Sequence, residues 1–139
     1  MALSSTSATQ EFSATGQACE AGEQFYKVFY ETFDRRRSLL GKLYLDSATM
    51  VWNGNGVSGS AGIMEFFEKL PVTEHTVDTL DCQPIPEEMT DNQTSVLVVT
   101  SGKVSFQGSR NFPFNQSFIL TKTQTGVWKI ASNCFRYEE

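Results

Sequence analysis

The feature that most constrains this chain is a series of long alternating segments in its second half, none of which has a simply polar face. Strand candidates run roughly from His75 to Gln83, Ser95 to Gln107, Phe112 to Thr123 and Val127 to Tyr137. Breaks separate them at Pro84-Ile85-Pro86, Gly108-Ser109-Arg110 and Thr125-Gly126. Alternate residues of a strand point to opposite faces. From Phe112, one set holds Phe112, Phe114, Phe118 and Leu120, and the other holds Asn115, Ser117, Ile119 and Thr121. In the strand before it, Val96, Val98, Val104 and Phe106 oppose Leu97, Val99, Ser101 and Lys103. In the last strand, Val127, Ala131, Phe135 and Tyr137 alternate with Trp128, Ile130, Ser132, Cys134 and Arg136. A solvated sheet face is mostly Thr, Lys and Glu. Isolated exposed apolar residues are ordinary, but Leu97, Val99 and Ile119 cluster on neighbouring strands into a patch that monomers seldom leave open. The aromatic-rich sets are therefore expected under helices, and the semi-apolar sets against another protein chain.

The first half supplies the helices. From Ala18, apolar residues recur at Ala21, Phe25, Val28, Phe29 and Phe33, with Glu23, Lys27 and Glu31 opposite. Leu39, Leu40, Leu43 and Tyr44 predict a second short helix that stops at Asp46-Ser47, and Thr49 to Asn53 predicts a short strand. Asn53-Gly54-Asn55-Gly56 reverses the chain, since these residues tolerate positive φ. A third helix follows, with Ser58 or Ser60 as N-cap and Ile63, Phe66, Phe67 and Leu70 on one side, ended by Pro71. Helices first and an antiparallel meander after them make an α+β fold with the helices on one sheet face. The 139 residues suit one core rather than two. The Ser/Thr/Ala-rich start, residues 1–16, reads as a flexible tail without the basic and apolar regions of a secretory signal, leaving a domain over residues 17–139.

Charge and titratable residues narrow the function. A net charge of −5 disfavours nonspecific binding to nucleic acid or anionic membranes, and no apolar stretch approaches the ~20 residues that cross a bilayer. Arg35-Arg36-Arg37 near a helix end reads as cations complementing the helix dipole. Cys19, Cys82 and Cys134 are odd in number and far apart, so they read as small buried hydrophobes in a reducing compartment, with no metal site. His75, beside Glu74 and close to Asp78, reads as a surface residue. The Phe-rich inward sets offer no carboxylate base, so neither an enzyme nor a cofactor is expected. Phe25, Phe29, Trp52 and Phe135 either line a pocket or fill it, and filling is the commoner outcome.

Several segments taken together resemble the nuclear-transport-factor-2-related export proteins. They are Asp34-Arg-Arg-Arg-Ser-Leu-Leu, Val51-Trp-Asn-Gly-Asn-Gly-Val-Ser-Gly59, Phe66-Phe-Glu-Lys-Leu-Pro71, Asp81-Cys-Gln-Pro84, Phe114-Asn-Gln-Ser-Phe-Ile-Leu-Thr121 and Val127-Trp-Lys-Ile-Ala-Ser-Asn-Cys-Phe-Arg136. The resemblance covers nearly everything from Gln17 to Tyr137. It implies a cone-like fold of three helices on a strongly bent antiparallel sheet, dimerising through the sheet face away from the helices. The implied partner is the nuclear-transport-factor-2-like domain of the large, TAP-type mRNA export receptor subunit, in a heterodimer that meets Phe-Gly nucleoporins. It further implies a shuttling protein of nucleus, cytoplasm and nuclear pore, with RNA contacted at most indirectly. Arg136 matches a family arginine that meets a carboxylate on the large subunit, and Val99, Asn115, Ser117 and Cys134 match interface positions. Ser132, Ile119 and Leu97 join them from the alternation. A rival within the family is a homodimeric import carrier of Ran-GDP. That branch carries acidic residues where this chain has Gln107-Gly-Ser-Arg-Asn111 with Arg110, which disfavours it. An isomerase or dehydratase on the same cone fold is the third alternative.

Overall fold

The computed structural model describes residues 2–139, with side chains described from residue 16 onward. Helix α1 spans Ala2–Arg35 and is followed by a 3₁₀ helix over Arg37–Leu43. Strands β1 (Tyr44–Trp52) and β2 (Asn55–Ser58) form a hairpin, and α2 spans Ser60–Glu68. Then come β3 (Thr73–Ile85), a 3₁₀ turn at Glu87–Met89, β4 (Ser95–Phe106), β5 (Phe112–Lys122) and β6 (Trp128–Tyr137). All the strands join one six-stranded sheet in the order β2-β1-β6-β5-β4-β3. Every neighbouring pair is antiparallel except β1 and β6, which run parallel.

Several local expectations are corrected. The second helix is a 3₁₀ turn, and Tyr44 opens β1 rather than closing it. Asp46 and Ser47 do not stop the chain; they are exposed positions inside β1. The hairpin turns on Asn53 (φ 44°) and Gly54 (φ 86°), both left-handed, which is the turn geometry that matches strand twist. It leads into β2, a strand the sequence reading lacks. The N-cap of α2 is Gly59 rather than either serine. Of the tail expected over residues 1–16, all but Gly16 falls where side chains lie outside the described ones.

The core forms where α1 lies in the concave side of the sheet. Phe25 and Phe29 meet Phe118 edge-on at centroid distances of 5.0 and 4.8 Å. Phe33 packs on Phe67 of α2 at 4.8 Å, and Trp52 stacks on Phe135 at 4.1 Å. Phe29, Phe118, Leu120, Ile130 and Val98 have no exposed surface. The candidate pocket residues Phe25, Phe29, Trp52 and Phe135 are thus packed into the core and fill the cone. The alternation holds along β4 and β5 but not along all of β6. Between Ile119↔Ser132 and Leu120↔Ile130 the register shifts, so Ala131 is the extra residue of a bulge. Ile130, expected on the outer set with Ser132 and Cys134, therefore points inward, as one inserted residue reverses strand parity.

Where β3 bulges between Val77 and Thr79, Gly102 of β4 lies against its backbone. A Cβ at Gly102 would overlap the carbonyl of Thr76, and neither backbone segment can rotate away. Gly102→Ala is expected to lower stability by about 2–3 kcal/mol, as overpacking does, with a midpoint fall on the order of 10 °C in a thermal melt. An unchanged melt would show that the two strands are not in this contact.

Candidate partner-binding face

The outer sheet face is assembled by cross-strand register. One row reads Asp81, Val99, Ser117, Cys134 and Val51 across β3, β4, β5, β6 and β1. The next row holds Thr79, Ser101, Asn115 and Arg136, and the row on the other side holds Gln83, Leu97, Ile119, Ser132 and Thr49. All the residues expected at the interface thus fall in three adjacent rows on the convex side, away from α1. Val99 and Val51 are about two-fifths exposed. Arg136 is exposed and makes no ion pair among the described residues. Val99, Asn115, Gln116, Ser117, Cys134 and Arg136 surround a shallow dimple of about 140 Å³. Alternation alone missed Val51, because the parallel β1–β6 pairing joins segments far apart in sequence.

Behind this face lies a buried polar chain that the sequence reading also missed. Thr100 Oγ1 donates to the Tyr30 hydroxyl (2.7 Å), which donates to Gln116 Oε1 (2.6 Å). Gln116 Nε2 donates to Asn133 Oδ1 (2.9 Å), and Asn133 Nδ2 donates to the Tyr44 hydroxyl (2.8 Å). Burial pushes both phenols well above the ordinary tyrosine range, so they stay protonated as hydrogen-bonding groups. Gln116 and Asn133 alternate with Asn115, Ser117, Ser132 and Cys134, so the inner bonds fix the register of the outer residues. A buried amide left without these partners would cost more than the bonds contribute.

His75 is not a surface residue. Its side chain is 1% exposed, and Nδ1 donates to Asp34 Oδ1 at 2.6 Å. Asp34 also accepts from the Thr73 hydroxyl (2.7 Å) and the His75 backbone N–H (2.8 Å). The partner is thus Asp34 near the end of α1, one strand-to-helix crossing away, rather than Glu74 beside it. The imidazole lies against Tyr30, Phe33 and Phe114. Arg37 completes this latch. Its guanidinium donates to the carbonyls of Phe33, Phe67, Leu70 and Pro71 and to Thr73 Oγ1, joining the ends of α1 and α2 to β3. Arg37 thus meets the helix-end carbonyls that the dipole argument anticipated, while Arg35 and Arg36 are exposed. In the β4–β5 loop, the Arg110 guanidinium sits over the Phe112 ring at 4.9 Å.

The cysteines are free, and two of them, Cys19 and Cys134, are exposed rather than buried. Cys82 packs against Gly22 of α1. Burial pushes its thiol up to about 11, with the nearby Cys19, Asp81 and Glu23 adding to the shift.

The sequence profile of the Nuclear transport factor 2 (NTF2) domain matches residues 21–137. NTF2-related export protein 2 of Homo sapiens is 53% identical over 126 residues, covering 88% of this chain and 89% of that protein. Among solved structures, nuclear transport factor 2 of Cryptosporidium parvum superposes with a TM-score of 0.78 at 27% identity, over 88% of this chain and 95% of that one. A chain of the Candida albicans Mtr2–Mex67 M domain complex has the same fold, with a TM-score of 0.68 at 16% identity over 87% of this chain and 96% of that one.

Two measurements test the site as described. Asp34→Ala leaves two donors and the imidazole without an acceptor, so chemical denaturation is expected to show a loss of about 3 kcal/mol; a loss under 0.5 kcal/mol would mean that the latch is not formed. The thiolate is the species that alkylates. At pH 7.5, iodoacetamide is therefore expected to label Cys19 and Cys134 at least tenfold faster than Cys82, and Cys82 to catch up only as the pH nears its raised value. Equal rates at pH 7.5 would contradict the packing of Cys82 under α1.

With its three helices laid on one face of a bent six-stranded α+β sheet, and its profile match spanning most of its length, the chain belongs to the nuclear transport factor 2 family.

Proposed function

We propose that this chain is the small, non-enzymatic subunit of a nuclear mRNA export receptor. Its domain, residues 17–139, heterodimerises through the outer sheet face with the nuclear-transport-factor-2-like domain of a large TAP-type subunit. The single observation that carries the reading is the convergence of Leu97, Val99, Asn115, Ser117, Ile119, Ser132, Cys134 and Arg136 on one uncovered, semi-apolar face. The likeness to export-protein relatives supports the direction of transport, and the fold shared with a chain of the Mtr2–Mex67 M domain complex supports the kind of partner. The heterodimer meets Phe-Gly nucleoporins and shuttles between nucleus and cytoplasm through the pore, with RNA contacted at most indirectly.

Arg136 acts as the specificity device. A guanidinium is a planar fork of donors suited to a carboxylate. Covered by a partner that offers none, it would cost about 3–5 kcal/mol. An enzyme role is disfavoured because the one histidine is committed to Asp34 and packed among rings, while Asp34 accepts three hydrogen bonds. The import-carrier reading is disfavoured by the cation, Arg110, in the β4–β5 loop.

Light scattering after size exclusion of this chain mixed with a TAP-type nuclear-transport-factor-2-like domain is expected to show a 1:1 complex. Arg136→Glu is expected to weaken it by at least 100-fold. A homodimer that ignores the domain and binds Ran-GDP would overturn the proposal.

A further inference from the structure

Two of the three thiols stand on the concave side of the sheet, against one flank of α1. Cys82 pairs in register with Val98, which pairs in turn with the buried Phe118, so its side chain points toward the helix. There the sulfur rests on bare helix backbone, because a Cβ at Gly22 would overlap Cys82 Sγ. Residues three or four apart share a helix flank. Cys19, Gly22, Tyr26 and Tyr30 form such a stripe, and at its far end the Tyr30 ring lies 4.9 Å from that of His75 in β3. The contacts Gly22–Cys82 and Tyr30–His75 thus lay this flank along β3, and Cys19 continues it by one turn. The two thiols also feel each other. Burial is the main reason the Cys82 thiol is pushed up to about 11, and a charge on Cys19 is the next. Cys134 is in register with Ser117 on the convex side and reaches neither of them.

We propose that Cys19 and Cys82 are a modification site, forming a reversible disulfide under peroxide that staples the start of α1 to β3. Cys19 lies one helical turn, about 5 Å, from the residue that Cys82 touches, and a disulfide spans Cα atoms up to about 7 Å apart. Swinging Sγ from Gly22 toward the neighbouring turn takes a change of Cys82 χ1 between staggered positions. Exposure divides the roles. Cys19 is exposed and Cys82 is partly covered by α1, so peroxide reaches Cys19 first. The Cys19 thiolate attacks hydrogen peroxide, the O–O bond breaks, and a sulfenic acid and water result. The Cys82 thiolate then attacks the Cys19 sulfur; the S–S bond forms, the S–O bond breaks, and the departing hydroxide takes up a proton as water. Two thiols have lost two electrons and two protons, and one peroxide has become two waters. The raised value of Cys82 keeps its thiolate scarce at neutral pH, and its position beside Cys19 offsets this through a high effective concentration. Excess small thiol reverses the bond by exchange and is itself oxidised to its disulfide. In a reducing compartment such a bond is transient, which suits a sensor rather than a permanent brace.

The test treats the full chain carrying Cys134→Ser, which removes the thiol of the opposite face, with a slight excess of hydrogen peroxide at low protein concentration. Intact mass is expected to fall by two hydrogens with no dimer formed, and peptide mapping without reductant is expected to join the segments holding Cys19 and Cys82. The bond closes a loop of about 60 residues, so the thermal midpoint is expected to rise by about 5 °C or more. Dithiothreitol is expected to return both mass and midpoint to the starting values. Adding Cys19→Ser, at an exposed position, is expected to abolish the mass change and the rise while leaving the untreated melt as it was. Three results would overturn the inference. In the first, Cys19 goes on to sulfinic acid, or joins a second chain, while Cys82 stays a thiol. In the second, the linked chain melts no higher than the reduced one. In the third, peroxide raises the midpoint of the Cys19→Ser variant as much as that of its parent.

Discussion

A single long helix has to fill the concave side of a sheet wide enough to curl around it, and this requirement organises the molecule. Phe29 is the centre of the solution. It touches Phe118 of β5 edge-on, Phe25 and Phe33 along its own helix, and Tyr30 and Tyr44 at the sides. Rings of this size reach across a bent sheet where aliphatic side chains would leave voids, and their edge-to-face arrangement adds to the area they bury. The bend itself comes from interruptions of the ladder at β3, β6 and the β1–β6 pair. With the cone filled by rings, the concave side is core.

Filling it has one complication, because rings alone do not fix strand register. The buried chain from Thr100 through Tyr30, Gln116 and Asn133 to Tyr44 links α1, β4, β5, β6 and β1. It penalises any slip that would leave an amide unpaired. At the wide end, Asp34, His75, Thr73 and Arg37 do the same for the junction of α1, α2 and β3. Both sets of polar residues serve the helix side. Their consequence for the other side is that the outward residues of β4, β5 and β6 are held in a fixed array.

How much of this is legible in the sequence follows from the range of each interaction. The helical stripe Phe25, Phe29, Phe33 and the alternation in β4 and β5 are local patterns, and they place the core and the outer face correctly. The phase of β6 is not legible before Ala131 is known to be a bulge, so Ile130 is assigned to the wrong face. The parallel pairing of β1 with β6 brings Val51 beside Cys134 across more than half the chain, and nothing local announces it. The same holds for His75, whose carboxylate partner is Asp34 in a helix rather than the adjacent Glu74. The role proposed for Arg136 rests on the family resemblance; an exposed, solvated charge is otherwise the simpler description.

The central claim is that a partner chain covers the outer face. Cys134 sits in its middle row and is exposed, whereas Cys19 lies on α1, exposed on the opposite side of the sheet. The most direct measurement is the alkylation rate of these two thiols in the free chain and in a stoichiometric mixture with a TAP-type nuclear-transport-factor-2-like domain. If the account is right, Cys134 labelling slows at least 50-fold in the complex while Cys19 keeps its rate. An intact complex in which Cys134 reacts as fast as in the free chain would contradict it.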